Sequence, residues 1–350
     1  MSVTTELSPS TATPGPVGSA PKAVKAVPDT NLLIPYLFAA WSFALTFAVA
    51  PYYTGGDQIY YRAFYDTRSG SSLADSFVDY QAILGSNEPG YFLVVMAFSR
   101  WLDKDALMAV MNGLLGYFLG QGLVKIKASR FVILLLAGNY YLYVMYFAAD
   151  RLKLAVLFLL IAMAKPKYAR VAYFAAIVSH LQSIVLLLGR LLGEGIRNLW
   201  PLLRGRLRRD AMWAPLVILI LTIPVYFLRE YAERKLEVYT WVASQGTVSL
   251  LKPAAMLAIT LVYAPGRRIE AASMHLPIMI VSSLVGVERL VLFGYAIFMY
   301  YGLQVRRGLN FGVLASSIYF SITGVVFIFD VVNYGTGYYW TTPPILRIFG

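Results

Sequence analysis

Long uninterrupted stretches of apolar residues recur along the whole chain. They occupy residues 32–52, 105–124, 131–164, 168–192, 211–228, 249–265, 272–305 and 309–329. These stretches do not alternate apolar and polar residues with a period of two, which excludes the strand pattern of a membrane barrel. Inside hydrocarbon every backbone N–H and C=O must be paired within its own segment, so such stretches fold as helices. The pattern predicts an all-α, polytopic integral membrane protein.

Three of the stretches are interrupted by polar residues. The interruptions are Asp150–Lys153 within 131–164, Ser179–Gln182 within 168–192, and Glu288–Arg289 within 272–305. Each of these stretches is expected to form a hairpin with its polar break at the outer end. Together with the uninterrupted stretches they give about 11 passes, in the range of about 10–12, since a full span needs roughly 20 residues and packed short helices use fewer.

The apolar piece 89–102 is shorter than a full span. We expect it to be re-entrant or interfacial. A crossing by this piece is the alternative, and it would reverse the direction of every later span.

Charge sets the expected orientation of the helices. The chain has 350 residues, of which only 14% are charged, and it carries a formal net charge of +12. Basic residues gather in short clusters between apolar stretches, which marks the cytoplasmic side. Seven of the 18 acidic residues lie between residues 53 and 105, so that segment is expected outside. The positive charge is therefore explained by cytoplasmic loops, and no nucleic-acid partner is predicted. Cysteine is absent, which excludes disulfides and thiolate metal sites.

The domain organisation follows from these patterns. Residues 1–30 are rich in Ser, Thr, Pro, Ala and Gly and are expected to be a disordered cytoplasmic tail. Residues 31–350 are expected to form a single transmembrane catalytic domain. The segments expected outside the spans are a periplasmic loop with a re-entrant segment (53–104), a basic amphipathic helix on the cytoplasmic leaflet (193–210), and a periplasmic loop helix (229–248).

Ionisable residues near the outer ends of the predicted helices are the candidates for chemistry. Such residues are costly at membrane depth and are functional candidates by default. The acids and the histidine that could act as a general base are Asp57, Glu88 and His180. Glu88 precedes a proline, which holds it in an extended conformation. The structural alternatives are a solvated loop acid for Asp57, a helix N-terminal acid for Glu88, and a hydrogen-bonded buried histidine for His180.

Three basic residues within apolar stretches form a second set of candidates, Arg151, Lys153 and Arg289. Asp150 and Glu288 could neutralise them. Neighbours at i,i+1 do not face each other on a helix, however, so we expect the guanidinium groups to be free for an external anion. The planar fork of arginine binds phosphate oxygens bidentately. We therefore predict a polar cavity that opens to the periplasm.

Aromatic residues are abundant at the predicted outer face. An interfacial aromatic belt accounts for most of them. Those in loops would also suit stacking on sugar rings. Soluble signatures such as a P-loop, HExxH and GxSxG are absent, and with only two histidines a zinc site is not predicted.

A series of short motifs resembles the EpsG-type branch of the Wzy polysaccharide polymerases. The motifs are Gly56-Asp57 followed by Tyr60 and Tyr65, then Glu88-Pro89-Gly90-Tyr91, Asp150-Arg151, Ser179-His180-Leu181-Gln182-Ser183, and Glu288-Arg289. They follow the order of the family's motifs over most of residues 53–305. Two departures occur: Leu152 stands where the family usually has Gln, and an extra residue separates His180 from Ser183.

The resemblance implies a membrane glycosyltransferase of the glycosyltransferase C-like helical class with a cavity facing the periplasm. It implies polymerisation of undecaprenyl-pyrophosphate-linked oligosaccharide repeats in the bacterial inner membrane, without a metal or other cofactor, in partnership with the bilayer and a chain-length regulator protein. The implied roles are general base for Asp57, Glu88 or His180, pyrophosphate binding for Arg151, Arg289 and Lys153, and sugar binding for Tyr60, Tyr61, Tyr91 and Trp241.

Three other functions remain open from the sequence. An O-antigen ligase catalyses the same type of reaction but usually carries a large late periplasmic loop, and here the late loop 229–248 is short. A glycosyltransferase that uses a lipid-monophosphate sugar would share the fold. A transporter of lipid-linked glycan would show matching halves, and none are found in the sequence.

Overall fold

The computed structural model describes residues 30–67, 72–203, 248–285 and 290–337. Every regular element in these ranges is helical. The α-helices are α1 (Ile34–Val49), α2 (Gln58–Thr67), α3 (Leu73–Leu84), α4 (Pro89–Phe98), α5 (Lys104–Lys125), α6 (Arg130–Ala137), α7 (Tyr140–Phe147), α8 (Asp150–Ala164), α9 (Ala169–Ser179), α10 (Ser183–Leu203), α11 (Val248–Tyr263), α12 (Arg268–Val285), α13 (Leu290–Gln304) and α14 (Phe311–Tyr334). The all-α prediction is confirmed for this part of the chain.

Three helical segments of the described ranges are long and apolar enough to cross a membrane. They are Asn31–Tyr52, Lys104–Lys125 and Arg306–Tyr334. The pair α6 and α7 adds a fourth candidate if the two helices, which meet at a bend of 44°, form one broken span. These segments support an α-helical membrane protein, and the count of 11 passes stays a prediction.

Helices end at or next to two of the three predicted polar interruptions. One helix begins at Asp150, and another break separates α9 from α10 at His180–Gln182. An additional break at Gly138–Asn139 was not predicted. Here the Asn139 side chain accepts a hydrogen bond from the Tyr141 N–H at 3.0 Å and caps α7. The third predicted break, at Glu288 and Arg289, lies outside the described residues.

The segment predicted to be a separate amphipathic helix on the cytoplasmic leaflet differs from its prediction. Residues 193–203 continue α10 from Ser183 without interruption, so this part is not a separate helix. The rest of the predicted amphipathic helix, the late periplasmic loop helix and the N-terminal tail up to residue 29 lie outside the described residues.

Close packing and buried polar bonds join the membrane helices. A Cβ at Gly116 of α5 would lie 2.4 Å from the Ser42 hydroxyl of α1, so only glycine permits this approach. Asn112 of α5 donates to the Thr46 hydroxyl at 2.8 Å and to the Tyr146 carbonyl at 3.0 Å. These contacts fix α1, α5 and α7 against one another.

The segment between α1 and α5 has an aromatic core of its own. Its buried rings include Tyr61, Phe64, Tyr80, Tyr91 and Phe92, and they pack against α5 and α8. Helix α4 has ten residues and is therefore about 15 Å long, half of the roughly 30 Å hydrocarbon core. This length agrees with the prediction that the apolar piece 89–102 is not a full span. Packing against the aromatic core places the start of α4 beside the start of α8. The candidate site lies between these two helix starts.

Candidate functional site

Three breaks between helices bring the candidate residues together. Glu88 is the extended residue before α4, with Pro89 at the first helical position. Arg151 lies in the first turn of α8, and His180 ends α9 in an extended conformation with φ −160° and ψ 117°. The three helix ends meet at one junction, and the three side chains project into it.

The Glu88 carboxylate is the centre of the site. It lies 2.8 Å from Nη1 of Arg151 and 3.0 Å from Nδ1 of His180. It also accepts the Leu181 backbone N–H at 2.8 Å and the Ser86 hydroxyl at 3.2 Å. An ionised carboxylate that accepts several charge-assisted hydrogen bonds is fixed in one orientation. The sequence prediction that Glu88 and His180 share one site with Arg151 agrees with this geometry.

These contacts decide the protonation state of Glu88. Burial by itself raises the pKa of the carboxyl group, but the hydrogen bond and charge of His180, followed by the charge of Arg151, lower the pKa to about 2. Glu88 is therefore ionised at neutral pH, and its low basicity makes it a poor proton acceptor.

Two of the guanidinium nitrogens of Arg151 make hydrogen bonds. Nη1 binds Glu88, and Nε donates to the Tyr61 hydroxyl at 3.3 Å. Within the described ranges Nη2 makes no hydrogen bond, and Arg151 keeps 7% of its surface exposed. The prediction of a guanidinium without a carboxylate partner is wrong, because the partner comes from α4 rather than from the adjacent Asp150.

Asp150 belongs to a second, buried cluster. Its carboxylate lies 3.0 Å from Nζ of Lys153 and 3.3 Å from Nζ of Lys104. Gln58 completes this cluster, since its side chain contacts both Lys104 and Asp150. Two consecutive residues of α8 thus belong to different ionic clusters. Asp150 pairs with Lys104 of α5, and Arg151 pairs with Glu88, the residue before α4.

Lys153 is enclosed in this second cluster. Its ammonium contacts Asp150, the Tyr146 carbonyl at 2.8 Å and the Met108 sulfur at 3.4 Å, and the residue has no exposed surface. All three donors are used inside the protein. This placement does not favour the predicted contact of Lys153 with pyrophosphate.

Sequence reasoning missed the buried roles of Lys104 and Gln58. The sequence places Lys104 at the end of a predicted periplasmic loop, yet Lys104 is only 7% exposed. The available signal was Asp150 itself, because a buried carboxylate next to one lysine at i+3 still has room for further donors.

The predicted sugar-binding aromatics separate into buried and exposed residues. Tyr91 has no exposed surface and Tyr61 only 3%, so the structure contradicts a role in stacking on a sugar for both. Tyr61 instead binds Arg151. Tyr60 is 54% exposed, and its predicted role stays a prediction. Trp241 and Arg289 lie outside the described residues.

Asp57 occupies a different position from Glu88. It is half-buried in the turn before α2, and its carbonyl accepts the Tyr61 N–H at 3.3 Å. The carboxylate in contact with Arg151 and His180 is that of Glu88. Asp57 as a general base stays a prediction.

The arrangement offers a guanidinium with a free donor beside an imidazole oriented by a carboxylate. Such a set can stabilise a developing anion and accept a proton. Comparison of the chain with protein-family models, curated proteins and solved structures gives no match.

Proposed function

We propose that this protein is a membrane glycosyltransferase that polymerises undecaprenyl-pyrophosphate-linked oligosaccharide repeats at the periplasmic face, as the resemblance to the EpsG-type polymerases implies. The observation that carries the proposal is the convergence of Glu88, Arg151 and His180. Each comes from a different motif of that resemblance, and 63 and 92 residues separate Arg151 and His180 from Glu88. The helical, membrane-type architecture agrees with a substrate carried on a lipid.

The reaction breaks the bond between the anomeric carbon of the growing chain and its diphosphate. The electron pair goes to the departing phosphate oxygen, where negative charge develops. Arg151 is suited to this charge because Nη2 is unoccupied in the described part of the protein while Nε and Nη1 hold the guanidinium in place. We propose Arg289 as a second donor to the diphosphate.

The acceptor hydroxyl must lose its proton as its oxygen forms the new bond to the anomeric carbon. We propose His180 as the proton acceptor and Glu88 as a positioning residue. The Glu88 carboxylate takes the hydrogen bond of Nδ1–H, which leaves Nε2 as the basic nitrogen. Oε1 of Gln182 lies 3.2 Å from Nε2 and accepts a hydrogen bond there only when Nε2 carries a proton. In the neutral imidazole with Nδ1–H, the Gln182 amide must turn its NH2 group toward Nε2 or move away. An acceptor hydroxyl that displaces this amide would meet the imidazole.

The test is a gel of lipid-linked glycans from cells in which the gene is deleted and then complemented. We expect deletion to collapse long glycan to single repeats and the wild-type gene to restore the ladder. Arg151→Ala should restore none of it, since removal of one donor to a developing anion costs about 10²–10³ in rate. His180→Ala should also fail. Arg190→Ala is the matched control, because this arginine lies in an exposed pair with Glu194.

The glycan ladders are compared only between variants that accumulate in the membrane to the same level as the wild-type protein. Accumulation of long lipid-linked polymer in the deletion strain would contradict polymerase activity and favour a ligase or an exporter. A full ladder from both Arg151→Ala and His180→Ala would contradict the assignment of the site.

A further inference from the structure

A surface cavity of about 460 Å³ lies between α2 and the turn that joins α4 to α5. This volume falls in the range of roughly 300–1,000 Å³ that is usual for ligand sites. Its lining residues are Arg62, Tyr65, Asp66, the turn residues Ser99, Arg100, Trp101, Leu102 and Asp103, and Lys104 and Asp105 of α5.

The walls of this cavity are held by specific bonds. Arg62 of α2 forms an ion pair of 2.8 Å with Asp105 of α5 and donates to the Ala50 carbonyl at 2.7 Å. The Tyr65 hydroxyl donates to the Leu102 carbonyl at 3.1 Å, which ties α2 to the turn. The cavity is therefore preformed and does not depend on a ligand for its shape.

The groups that face the cavity suit a carbohydrate. Trp101 is 75% exposed in the turn between α4 and α5. Asp66 and Arg100 are also exposed, and neither has an ion-pair or side-chain hydrogen-bond partner among the residues that the structure describes. Three basic and three acidic side chains line the cavity, so its charges balance. A flat indole beside one free carboxylate and one free guanidinium matches a neutral ligand rich in hydroxyl groups rather than an anion.

An ion pair connects the wall of the cavity to α8, the helix that carries Arg151. Lys104 lines the cavity, and its ammonium contacts Asp150, the residue that precedes Arg151. A glycan bound in the cavity would therefore contact a wall that is ion-paired to the first turn of α8, the turn that carries Arg151.

We propose that this cavity binds the neutral carbohydrate part of the acceptor, with a sugar ring stacked on Trp101 and hydroxyl groups bonded to Asp66 and Arg100. This inference rests on the proposed function for the identity of the glycan. The cavity accounts for acceptor binding, whereas Arg151 acts on the diphosphate of the donor.

The test measures binding to the purified full-length protein in nanodiscs. The probes are short oligomers released with mild acid from the surface polysaccharide of the producing cells and, separately, inorganic pyrophosphate. We expect Trp101→Ala to weaken oligomer binding about tenfold and to leave pyrophosphate binding unchanged. Asp66→Asn should weaken oligomer binding several-fold. Phe311→Ala is the control, since it removes a ring that is 85% exposed at the start of α14.

In cells, Trp101→Ala should shift the glycan ladder to shorter chains. Wild-type affinity of Trp101→Ala and Asp66→Asn for the oligomers would overturn the inference. A Trp101→Ala protein that binds normally but accumulates less in the membrane would also overturn it, because the indole would then be an interfacial anchor. Failure of the proposed function would give a different result, namely a full ladder from Arg151→Ala. In either case, the binding titration shows whether the cavity binds the oligomers.

Discussion

The Glu88 carboxylate lies 2.8 Å from the Arg151 guanidinium although 63 residues separate the two in the chain. The side chains are only 11% and 9% exposed. The pair joins the start of α4 to the start of α8 and, through His180, to the break between α9 and α10. It therefore links the orientation of the proposed catalytic groups to the packing of three helices.

Loss of the Glu88 charge should destabilise the protein. Glu88→Gln keeps the shape of the side chain but leaves the almost buried Arg151 without its counter-ion. Removal of one partner of a buried pair typically costs about 3–5 kcal/mol. We expect a clear fall in the melting temperature of the purified protein, together with loss of the glycan ladder.

Glu194→Gln is the control for this variant, because Glu194 and Arg190 form a pair whose side chains are 44% and 54% exposed. An exposed pair contributes roughly 0–1 kcal/mol. Equal stability of the two variants would contradict a structural role for the Glu88–Arg151 pair.

The low pKa of Glu88 predicts a specific dependence of stability on pH. A group whose pKa is depressed in the folded state contributes stability above its ordinary pKa and loses it as the pH falls through the folded value. For Glu88 these values are 4.5 and about 2. The contribution should be complete from pH 8 down to about 5 and should be lost between about 4.5 and 2, by an amount on the order of 3 kcal/mol.

Thermal unfolding measured at a series of pH values tests this expectation. Wild type should lose more stability than Glu88→Gln between about pH 4.5 and 2. Curves that run parallel down to pH 2 would show that Glu88 does not titrate in this way.

The sequence predicted where helices break near the site better than it predicted which side chains form ion pairs there. Polar residues inside apolar stretches located the helix breaks at Asp150 and at His180–Gln182, because an unpaired polar group is costly in an apolar helix. The partner of Arg151 was not predictable in this way. Rules for neighbours on one helix exclude Asp150, but they cannot identify a carboxylate that tertiary packing brings from α4.

Burial was the other property that the sequence did not reveal. Tyr61 and Tyr91 stand among loop residues and polar motifs, so they were assigned to sugar binding. In the structure they belong to the aromatic core beneath α2 and α4. A loop of about 50 residues, from 53 to 104, is long enough to fold its own core, and its aromatic residues then serve packing rather than ligand binding.

The second ionic cluster predicts an asymmetry between two substitutions. With all three groups ionised, Lys104, Asp150 and Lys153 together carry one net positive charge in a buried setting. Asp150→Asn would leave two buried ammonium groups without a counter-ion, whereas Lys104→Met would leave a neutral pair. We expect Asp150→Asn to cost about 3–5 kcal/mol and Lys104→Met to cost much less.

The amount of monodisperse protein after size-exclusion chromatography, with the melting temperature, measures this difference. Lys153→Met extends the comparison, since it also leaves one lysine with one aspartate but removes the contact with the Tyr146 carbonyl. If Asp150→Asn proves as stable as Lys104→Met, the cluster does not stabilise the fold through its charges.

Gly90 is expected to control the geometry of the site through packing alone. A Cβ at this position would lie 2.5 Å from the hydroxyl oxygen, 2.6 Å from the Cα and 2.8 Å from the backbone nitrogen of Ser179. Because two of these atoms belong to the backbone, Gly90→Ala must push α4 away from the end of α9. Glu88 lies two residues before Gly90 and His180 directly follows Ser179, so their hydrogen bond would lengthen. We expect a loss of about 1–3 kcal/mol in stability and a marked loss of polymer.

Gly122→Ala in α5 is the matched control, because a Cβ there meets no atom within 4 Å. Alanine is a better helix former than glycine by about 1 kcal/mol, so this variant should be neutral or slightly stabilised. Melting temperature and the glycan ladder are measured for both variants. A Gly90→Ala protein with wild-type stability and a full ladder would mean that α4 and α9 tolerate separation, and that the contact between Glu88 and His180 is not required for activity.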